Sequence, residues 1–215
     1  MPVPLVPVKA LAEAKGRLAP TVGPLQRRLL AIAMFEDVIA ALQAVPGLAA
    51  PVVVSPDREV WRRADAMGCR VVEEPPGAGD LNRSLTSAAA VAGDNAVLLV
   101  VAADLPLASA AGLERVLAAA EAPVAVVPSH DGGGTNVLAW RDPGSFAPSF
   151  GPDSAARHLA VPGAIRVDEP GLSLDVDTAA DLEMVAGRLD PSSVTARRLK
   201  DLAIFPGVTG STEEA

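Results

Sequence analysis

The chain has 215 residues and a formal net charge of −8 at pH 7, which argues against a general nucleic-acid-binding protein because such proteins need a basic surface. A local cluster of cations could still bind a small phosphorylated ligand. Half of the residues are hydrophobic but only 3% are aromatic, so aliphatic side chains must build the core, and the length suits a single domain.

Cysteine content and hydropathy indicate the cellular compartment in which the chain is expected. Its single cysteine, Cys69, excludes an intramolecular disulfide and a cysteine-rich zinc site, which suits a reducing compartment. No segment approaches the roughly 18 consecutive apolar residues of a membrane span, and the N-terminus lacks the basic-then-apolar order of a secretory signal. We therefore expect a cytoplasmic protein that does not bind a membrane.

Apolar runs of strand length alternate with amphipathic stretches of helix length through the first half of the chain. The pattern first predicts a strand over residues 3–8, a helix over 24–44, a strand over 51–55, and a helix that begins after the cap Asp57 and ends at residue 67. It then predicts a strand over 70–73, a helix over 83–92, a strand over 96–102, a helix over 113–120 and a strand over 123–127. Such apolar strands separated by helices predict an α/β fold: a single-domain, doubly wound, mostly parallel sheet of Rossmann-like type with helices on both faces.

After Pro128 the sequence becomes rich in glycine, proline and serine, and the predicted elements become shorter. A helix is predicted to start within FGPDSAARH, with short strands over 165–167 and 172–176 and helices over 178–189 and 192–202. No internal repeat and no boundary between two autonomous domains is visible. We therefore expect one domain over residues 1–205 and a disordered tail over 206–215.

Polar residues collect after the ends of the predicted strands. In an open α/β sheet, ligands bind beyond the carboxyl ends of the strands, so residues that follow different strands can meet at one edge. The residues that share this position are Lys9, Lys15 and Arg17 after the first strand, DLNRS after the third, Asp104 at the end of the fourth, SHDGGGTN after the fifth, and Asp175 and Asp177 after a later one. Each group alone is a weak signal, and their shared position predicts a ligand site.

The three cations after the first strand allow two interpretations. Lys9, Lys15 and Arg17 could belong to an ordinary solvated loop, or they could offset the charge of a polyphosphate. Lysine is scarce in this chain, which has only Lys9, Lys15 and Lys200. Two lysines six residues apart therefore favour the phosphate clamp.

The segments DGGGTN and FGPDSAARH each allow a structural and a binding interpretation. Gly133 and Gly134 could form a plain loop, or their backbone amides could approach an anion closely, as in an anion nest. The Lys-Ser/Thr ending of a P-loop is missing. Asp153 or Ser154 could cap a helix, and the free amides at that helix start, together with the Ser154 hydroxyl, could also hold an anion.

Asp104 follows the apolar run VLLVVAA, where a charge is costly unless a partner offsets it. The residue is therefore a turn or helix cap, or else a metal ligand. Asp175 and Asp177 would face the same side of an extended strand, and Asp177 suits a cap for the helix that follows. Two carboxylates from separate strands, with phosphate oxygens completing the shell, are typical of Mg²⁺. We predict a Mg²⁺ site formed by Asp104 with Asp175 or Asp177.

The two histidines of the chain are predicted to be structural. His130 has no partner at the spacing of a metal-ligand set or a catalytic triad. His158 lies one turn into a predicted helix and is interpreted as surface packing.

Six segments together resemble the 2-phospho-L-lactate/phosphoenolpyruvate guanylyltransferase family, which are nucleotidyltransferases with a molybdopterin-guanylyltransferase-like fold. The segments are VPVKALAEAKGRLAP, DLNRSL, ADLPL, DGGGTNVL, FGPDSAARH and LDVDTAADL, and they occur in the family's order over residues 5 to about 183. The first and third segments are shared with wider nucleotidyltransferases. GGGTN followed by FGPDS at this spacing is the most specific feature.

The resemblance implies GTP as nucleotide donor, a phosphorylated three-carbon acid as acceptor, and a step in the biosynthesis of coenzyme F420. It also implies that Thr135, Gly151 and Ser154 bind the acceptor, and that Asn82 lies in a base-recognition loop, although Asp80 stands where the family often has glycine. Alanine, proline, glycine and arginine are abundant, which is typical of a GC-rich genome. The resemblance associates actinobacterial members of the family with phosphoenolpyruvate and archaeal members with 2-phospho-L-lactate. A high-GC bacterial source, and hence phosphoenolpyruvate, is therefore expected. A downstream transferase of the same pathway is the protein partner that the resemblance suggests.

Two alternatives stay open at this point. A nucleotidyltransferase acting on molybdopterin or a sugar phosphate would need a larger acceptor pocket. A nucleotide-sensing module without activity would have no reason to keep Asp104, Asp175, Asp177, Lys9 and Lys15 together. The acceptor, the residues that read the base and the oligomeric state do not follow from the sequence.

Overall fold

The computed structural model describes residues 1–13, 15–73, 80–91 and 97–204, and the predicted tail over 206–215 lies outside these ranges. The strands are β1 (Val3–Pro7), β2 (Val52–Ser55), β3 (Arg70–Glu73), β4 (Leu98–Val101), β5 (Val124–Pro128), β6 (Thr135–Trp140) and β7 (Ile165–Arg166). They form one sheet with the order β3-β2-β1-β4-β6-β5-β7. β6 runs antiparallel to its neighbours, and the other pairs are parallel.

Eight α-helices lie within the described residues. They are α1 (Pro24–Gln43), α2 (Arg58–Ala66), α3 (Leu81–Ala89), α4 (Ala110–Ala119), α5 (Ser154–Leu159), α6 (Pro170–Ser173), α7 (Ala179–Ala186) and α8 (Val194–Asp201). Local sequence sets several of their starts, as where the Asp57 carboxylate accepts a hydrogen bond from the Glu59 amide before α2. In the described ranges, none of these helices has both the length and the apolar character to cross a bilayer.

The sheet buries apolar side chains on both of its faces. Leu99 and Val101 of β4 pack into the core that includes α1, α2 and α4, whereas Leu98 and Val100 pack into the core that includes α3. All four side chains are buried, and each contributes about 1.5–3 kcal/mol to folding relative to an exposed position. This two-sided burial explains why the strands appear in the sequence as continuous apolar runs.

A third apolar cluster connects α1, α7 and α8 with the segment that follows α6. Leu174 and Val176 of that segment pack against residues of all three helices. The amide of Val176 also donates a hydrogen bond of 3.1 Å to the carbonyl oxygen of Asp104. Residues 174–177 are therefore fixed at the carboxyl end of β4.

The predicted α/β class with a mostly parallel sheet is confirmed, but two elements differ from the prediction. Residues 135–140 were not predicted to be a strand, and they form β6, which pairs with both β4 and β5. The strand predicted over 172–176 is wrong. Pro170 starts the one-turn helix α6, a position that suits proline because its first amide needs no partner, and an extended segment follows.

Candidate active site

The polar cluster lies where the strand order of the sheet reverses. β1 pairs with β2 on one side and with β4 on the other, and such a switch point opens a crevice at the carboxyl ends of the two central strands. Lys15 and Arg17 follow β1, and Asp104 follows β4. Three of the residues predicted from the sequence therefore meet at this crevice.

Lys15 lies at the centre of the cluster. Its Nζ atom is 2.5 Å from Oδ2 of Asp104 and 3.3 Å from Oδ1 of Asp177. The Lys15 side chain is only 8% exposed, whereas the side chains of Asp104 and Asp177 are 29% and 44% exposed. Two carboxylates from distant parts of the sequence are thus held beside one ammonium group.

The environment of Lys15 keeps it charged. Burial alone lowers the pKa of Lys15, but attraction to Asp104 and Asp177 and the hydrogen bonds with them outweigh burial, so the pKa is raised. The backbone of Lys15 has φ 55° and ψ 40°, a left-handed conformation that is uncommon for residues with a Cβ atom. Such a conformation at a charged cluster indicates a functional position.

Asp177 is free to face the crevice because another residue caps α7. Thr178 is the cap residue, and its hydroxyl accepts a hydrogen bond from the Asp181 amide while the Asp181 carboxylate accepts one from the Thr178 amide. The interpretation of Asp177 as the cap is therefore wrong. Asp175 and Asp177 flank the buried Val176, so both carboxylates belong to the same fixed segment.

Asn136 is a site residue that the sequence analysis did not select. It is 5% exposed, and its Nδ2 atom donates to the Ser173 carbonyl at 2.8 Å and to Oδ1 of Asp175 at 3.1 Å. Burial raises the pKa of Asp175, the hydrogen bond from Asn136 opposes this, and the nearby charges of Asp104 and Asp177 raise the pKa further. The signal in the sequence that pointed to Asn136 was the position of its side-chain amide directly before the apolar run VLAW.

The three carboxylates fit a divalent cation that also binds phosphate oxygens. Asp104, Asp175 and Asp177 supply oxygen ligands, which Mg²⁺ and Mn²⁺ prefer, and a cation would relieve the repulsion that raises the pKa of Asp175. Within the described ranges, no group of three or more His, Cys, Asp and Glu side chains is already arranged as a metal site. A cation held at this position would therefore need further oxygen ligands, such as phosphate groups or water.

The other two predicted cations are placed differently. Arg17 is largely exposed, and its Nη1 atom lies 3.5 Å from Oδ2 of Asp177, so its side chain reaches the rim of the cluster. Lys9 is exposed and forms no ion pair with any residue that the structure describes. Contact of Lys9 with a phosphate stays a prediction.

The glycine run does not form the predicted anion nest. The amide of Gly133 donates to Oδ1 of Asp131 at 3.0 Å, and the amide of Gly134 donates to Oγ of Ser129 at 2.7 Å. These amides are satisfied within the turn and are not free for a phosphate. A Cβ atom on Gly134 would lie 2.9 Å from Ser129 Oγ, so glycine is needed for this tight hairpin. Gly133 and Gly134 thus shape the start of β6 and present no free amide to a ligand.

Thr135, Gly151 and Ser154 lie on neighbouring parts of the structure. Thr135 contacts His158 of α5, and the Ser154 amide donates to the Gly151 carbonyl at 3.1 Å. Gly151 has φ 124°, which side chains rarely tolerate. Thr135 and Ser154 are 8% and 1% exposed, so their hydroxyl groups face a nearly closed environment.

Two of the amides predicted to be free at the start of α5 are hydrogen-bonded within the protein. The Ser154 amide is bonded to Gly151 as described, and the Ala155 amide donates to the Gly133 carbonyl at 3.4 Å. Asp153 occupies the cap position with φ 55° but makes no capping hydrogen bond through its side chain to the described residues. The backbone amides of the first two residues of α5 therefore form hydrogen bonds within the protein, and the bond from Ala155 connects the helix start to the glycine turn.

Asn82 supports the loop that carries Gly151. Its Nδ2 atom donates to the Phe150 carbonyl at 3.1 Å, and its Oδ1 atom accepts from the Phe150 amide at 2.6 Å. Arg157 donates to the carbonyl oxygens of Ser149 and Pro152 in the same loop. The Asn82 amide group is therefore engaged by the protein backbone. Direct binding of substrate by Asn82, as predicted, stays a prediction.

Both histidines have polar partners that were not evident from the sequence. His158 is 1% exposed, so its interpretation as surface packing is wrong, and its ring contacts Thr135 and Ser149. The spacing of four residues from Ser154 was the available signal, because such residues share a helix face. His130 Nδ1 lies 3.6 Å from Oδ1 of Asp175, which places this side chain beside the carboxylates.

Comparison with known sequences assigns the family. A profile of the family described as "Guanylyl transferase CofC like" matches residues 3–188. Phosphoenolpyruvate guanylyltransferase from Nocardia farcinica is 44% identical over 206 residues, covering 92% of this chain and 90% of the relative. The enzyme of the same name from Streptomyces coelicolor is 43% identical over 185 residues, covering 83% and 86%.

Solved structures agree with this assignment at the level of the fold. A protein from Desulfovibrio desulfuricans assigned as a nucleotide-diphospho-sugar transferase has a TM-score of 0.71 at 18% identity, covering 94% of this chain and 97% of the other. A Mycobacterium tuberculosis protein solved as a complex with manganese has a TM-score of 0.53 at 21% identity, covering 86% and 98%. The fold, the position of the polar cluster and the sequence match agree, and the chain belongs to the CofC-like guanylyl transferase family.

Proposed function

We propose that this chain transfers GMP from GTP to the phosphate group of phosphoenolpyruvate, releases pyrophosphate, and thereby supplies the biosynthesis of coenzyme F420. The observation that carries the proposal is the pair of adjacent residues Thr135 and Asn136. Asn136 fixes a carboxylate of the charged cluster, and Thr135 belongs to the buried polar group around α5. A nucleotide triphosphate and a small acid could therefore be held side by side. The names of the relatives support the choice of substrates.

The reaction needs positioning and charge more than it needs a base. An oxygen of the acceptor phosphate attacks the α-phosphorus of GTP, the bond from that phosphorus to the bridging oxygen breaks, and pyrophosphate leaves. A phosphate oxygen is already ionised at neutral pH, so no proton has to be removed. Lys15 would face the triphosphate with its fixed positive charge, and Arg17 and Lys9 would hold the phosphates from the rim.

The same geometry supports a proposal for the metal and acceptor ligands. Asp104 would hold Mg²⁺ together with Asp175 or Asp177, and the cation would supply positive charge that neutralises phosphate oxygens. Thr135, Gly151 and Ser154 would bind the acceptor, with Gly133 and Gly134 shaping that pocket. Asn82, which the resemblance places in a base-recognition loop, would also support the Gly151 loop through Phe150. We further infer that residues 1–205 form one nucleotidyltransferase domain, which acts in the cytoplasm where both substrates occur.

The test is an incubation of the purified chain with GTP, Mg²⁺ and one acceptor at a time. Phosphoenolpyruvate, 2-phospho-L-lactate and 3-phosphoglycerate are compared, and pyrophosphate release and product mass are read. We expect guanylylated phosphoenolpyruvate as the main product, with Mn²⁺ able to replace Mg²⁺. Preference for CTP, or turnover only with molybdopterin or a sugar phosphate, would contradict the proposal. Binding of GTP without turnover on any acceptor would indicate a sensing module.

A further inference from the structure

The buried ring of His158 is hydrogen-bonded through both of its nitrogen atoms. Its Nε2 atom lies 3.0 Å from the backbone amide of Ser149, and its Nδ1 atom lies 3.0 Å from Oγ1 of Thr135. The residue is 1% exposed and sits on α5, next to the loop that carries Gly151. Nothing in the proposed phosphoryl transfer requires this ring as a base.

The partner of Nε2 decides where the ring carries its hydrogen. A backbone amide can only donate, so Nε2 must present its lone pair to Ser149. Burial, together with repulsion from Arg157, lowers the pKa of His158 to about 4, so the ring is neutral at physiological pH. A neutral ring with Nε2 as acceptor has its hydrogen on Nδ1, and it therefore donates to the hydroxyl oxygen of Thr135.

This donation decides the orientation of the Thr135 hydroxyl group. Because its oxygen accepts from His158, its hydrogen must point to a different acceptor. Among the residues that the structure describes, no other group accepts a hydrogen bond from this hydroxyl. A hydroxyl hydrogen held in one direction is suited to an anionic oxygen, since hydrogen bonds to charged groups are the stronger ones.

We propose that His158 is a positioning residue that directs the hydroxyl hydrogen of Thr135 toward an anionic oxygen of the acceptor. The inference rests on the proposed function because it assumes that Thr135 binds the acceptor. A role limited to support of the loop is less well supported. Arg157 also bonds to Ser149, and Asn82 bonds twice to Phe150, so the loop has other anchors.

Two substitutions separate the two hydrogen bonds of the ring. In His158→Asn the side-chain amide can donate from the place of Nδ1 to Thr135, while the bond from Ser149 is lost. In His158→Gln the side-chain carbonyl can reach the place of Nε2 and accept from Ser149, while donation to Thr135 is lost. The KM of the acceptor, the KM of GTP and kcat are measured for both, and circular dichroism checks their fold.

We expect His158→Gln to raise the acceptor KM about tenfold with a small effect on the KM of GTP, as for the loss of one directed hydrogen bond. His158→Asn should recover most of that loss. If His158 only supported the loop, His158→Asn, which loses the bond from Ser149, would raise the acceptor KM more than His158→Gln. A folded His158→Asn variant with a higher acceptor KM than His158→Gln would therefore overturn the proposal. If His158→Gln does not fold, a tenfold rise in the acceptor KM of folded His158→Asn is sufficient to overturn the proposal.

The variant Thr135→Val distinguishes failure of this inference from failure of the proposed acceptor site. It should raise the acceptor KM by itself, and His158→Gln should then add almost nothing, because both changes remove the same contact. Full additivity of the two effects would overturn the role of His158 and leave the acceptor site standing. An unchanged acceptor KM in Thr135→Val, with wild-type turnover intact, would overturn the acceptor site and this inference together.

Discussion

The two sides of the candidate site are built with different interactions. On one side, the Lys15 ammonium is shared by Asp104 and Asp177 in a crevice that remains partly open to solvent. On the other side, Thr135 and His158 are almost fully buried and are joined by a hydrogen bond between neutral groups. Charge attraction acts over a distance and tolerates changes in geometry, whereas a buried hydrogen bond depends on direction.

This difference suggests a division of labour. In the proposed function the charged side holds a triphosphate and a cation, and electrostatic attraction tolerates differences in their positions. The neutral side can reject acceptors that lack a correctly placed oxygen, because a buried hydrogen-bonding group left without a partner is costly. Substitutions on the charged side should therefore affect turnover and GTP use, and those on the neutral side should affect the acceptor.

The largest effect is expected from Asp104→Asn. It removes one of the two carboxylate partners of Lys15 and the charge of the proposed metal ligand, so kcat should fall by at least about a hundredfold while the fold is kept. Pyrophosphate release measures the loss, and Asp65→Asn on the exposed surface of α2 is the matched control. Wild-type turnover by Asp104→Asn would rule out the metal role of this residue.

Lys15→Ala should have the next largest effect. Without the ammonium, two carboxylates face each other and the triphosphate loses a fixed positive charge, so kcat/KM for GTP should fall by roughly a hundredfold. The acceptor KM should change much less. Lys200→Ala, on the exposed side of α8, is the control for lysine removal. A loss confined to the acceptor would reverse our assignment of the two sides.

Two asparagines offer a direct comparison of the sides. Asn136→Ala frees Asp175, so we expect the Mg²⁺ concentration for half-maximal activity to rise about tenfold, as for loss of a residue that orients a metal ligand. Asn82→Ala frees the loop at Phe150 and should raise the acceptor KM instead. Titrations of Mg²⁺ and of acceptor on both variants test this. Identical responses would show that the sides are not separable.

The smallest effect concerns stability on the neutral side. The pKa of His158 is lowered from its ordinary value of 6.5 to about 4, so the unfolded chain binds a proton more readily than the folded one between these pH values. Stability is therefore lost as pH falls from 7 to 5, by about 2 kcal/mol for this group. Urea unfolding at both pH values should show a smaller loss for His158→Gln. An equal loss in wild type and variant would remove His158 as the cause.

The sequence predicted the charged side better than the neutral side. Asp104 comes shortly after β4 and Lys15 lies in the loop after β1, and the position of strand ends in an α/β sheet is largely determined by the apolar pattern. Asp177 lies in the cluster although the strand predicted before it does not form. Asn136 and His158 act through partners that are distant in sequence, Asp175 and Thr135 respectively. Their roles depend on packing, which composition and spacing do not show.

The two errors in the fold have local physical reasons. The glycines before β6 suggested a binding loop. β6 begins with the polar residues Thr135 and Asn136, which left only four apolar residues as a signal for a strand. The segment LSLDV alternates like a strand. Pro170 instead favours a helix start, and the Val176 amide is used by the Asp104 carbonyl, so the segment crosses the end of β4 without forming a strand of its own.

The reversed direction of β6 gives the hairpin turn before it an unusual importance. Neighbouring residues of a strand face opposite sides, so a one-residue insertion between Ser129 and Thr135 that shifts the register of β6 would exchange the surroundings of Thr135 and Asn136. One such change would disturb the acceptor contact and the support of Asp175 together. Related chains should therefore keep the length of this turn, and engineering of acceptor preference should leave the number of residues in the turn unchanged.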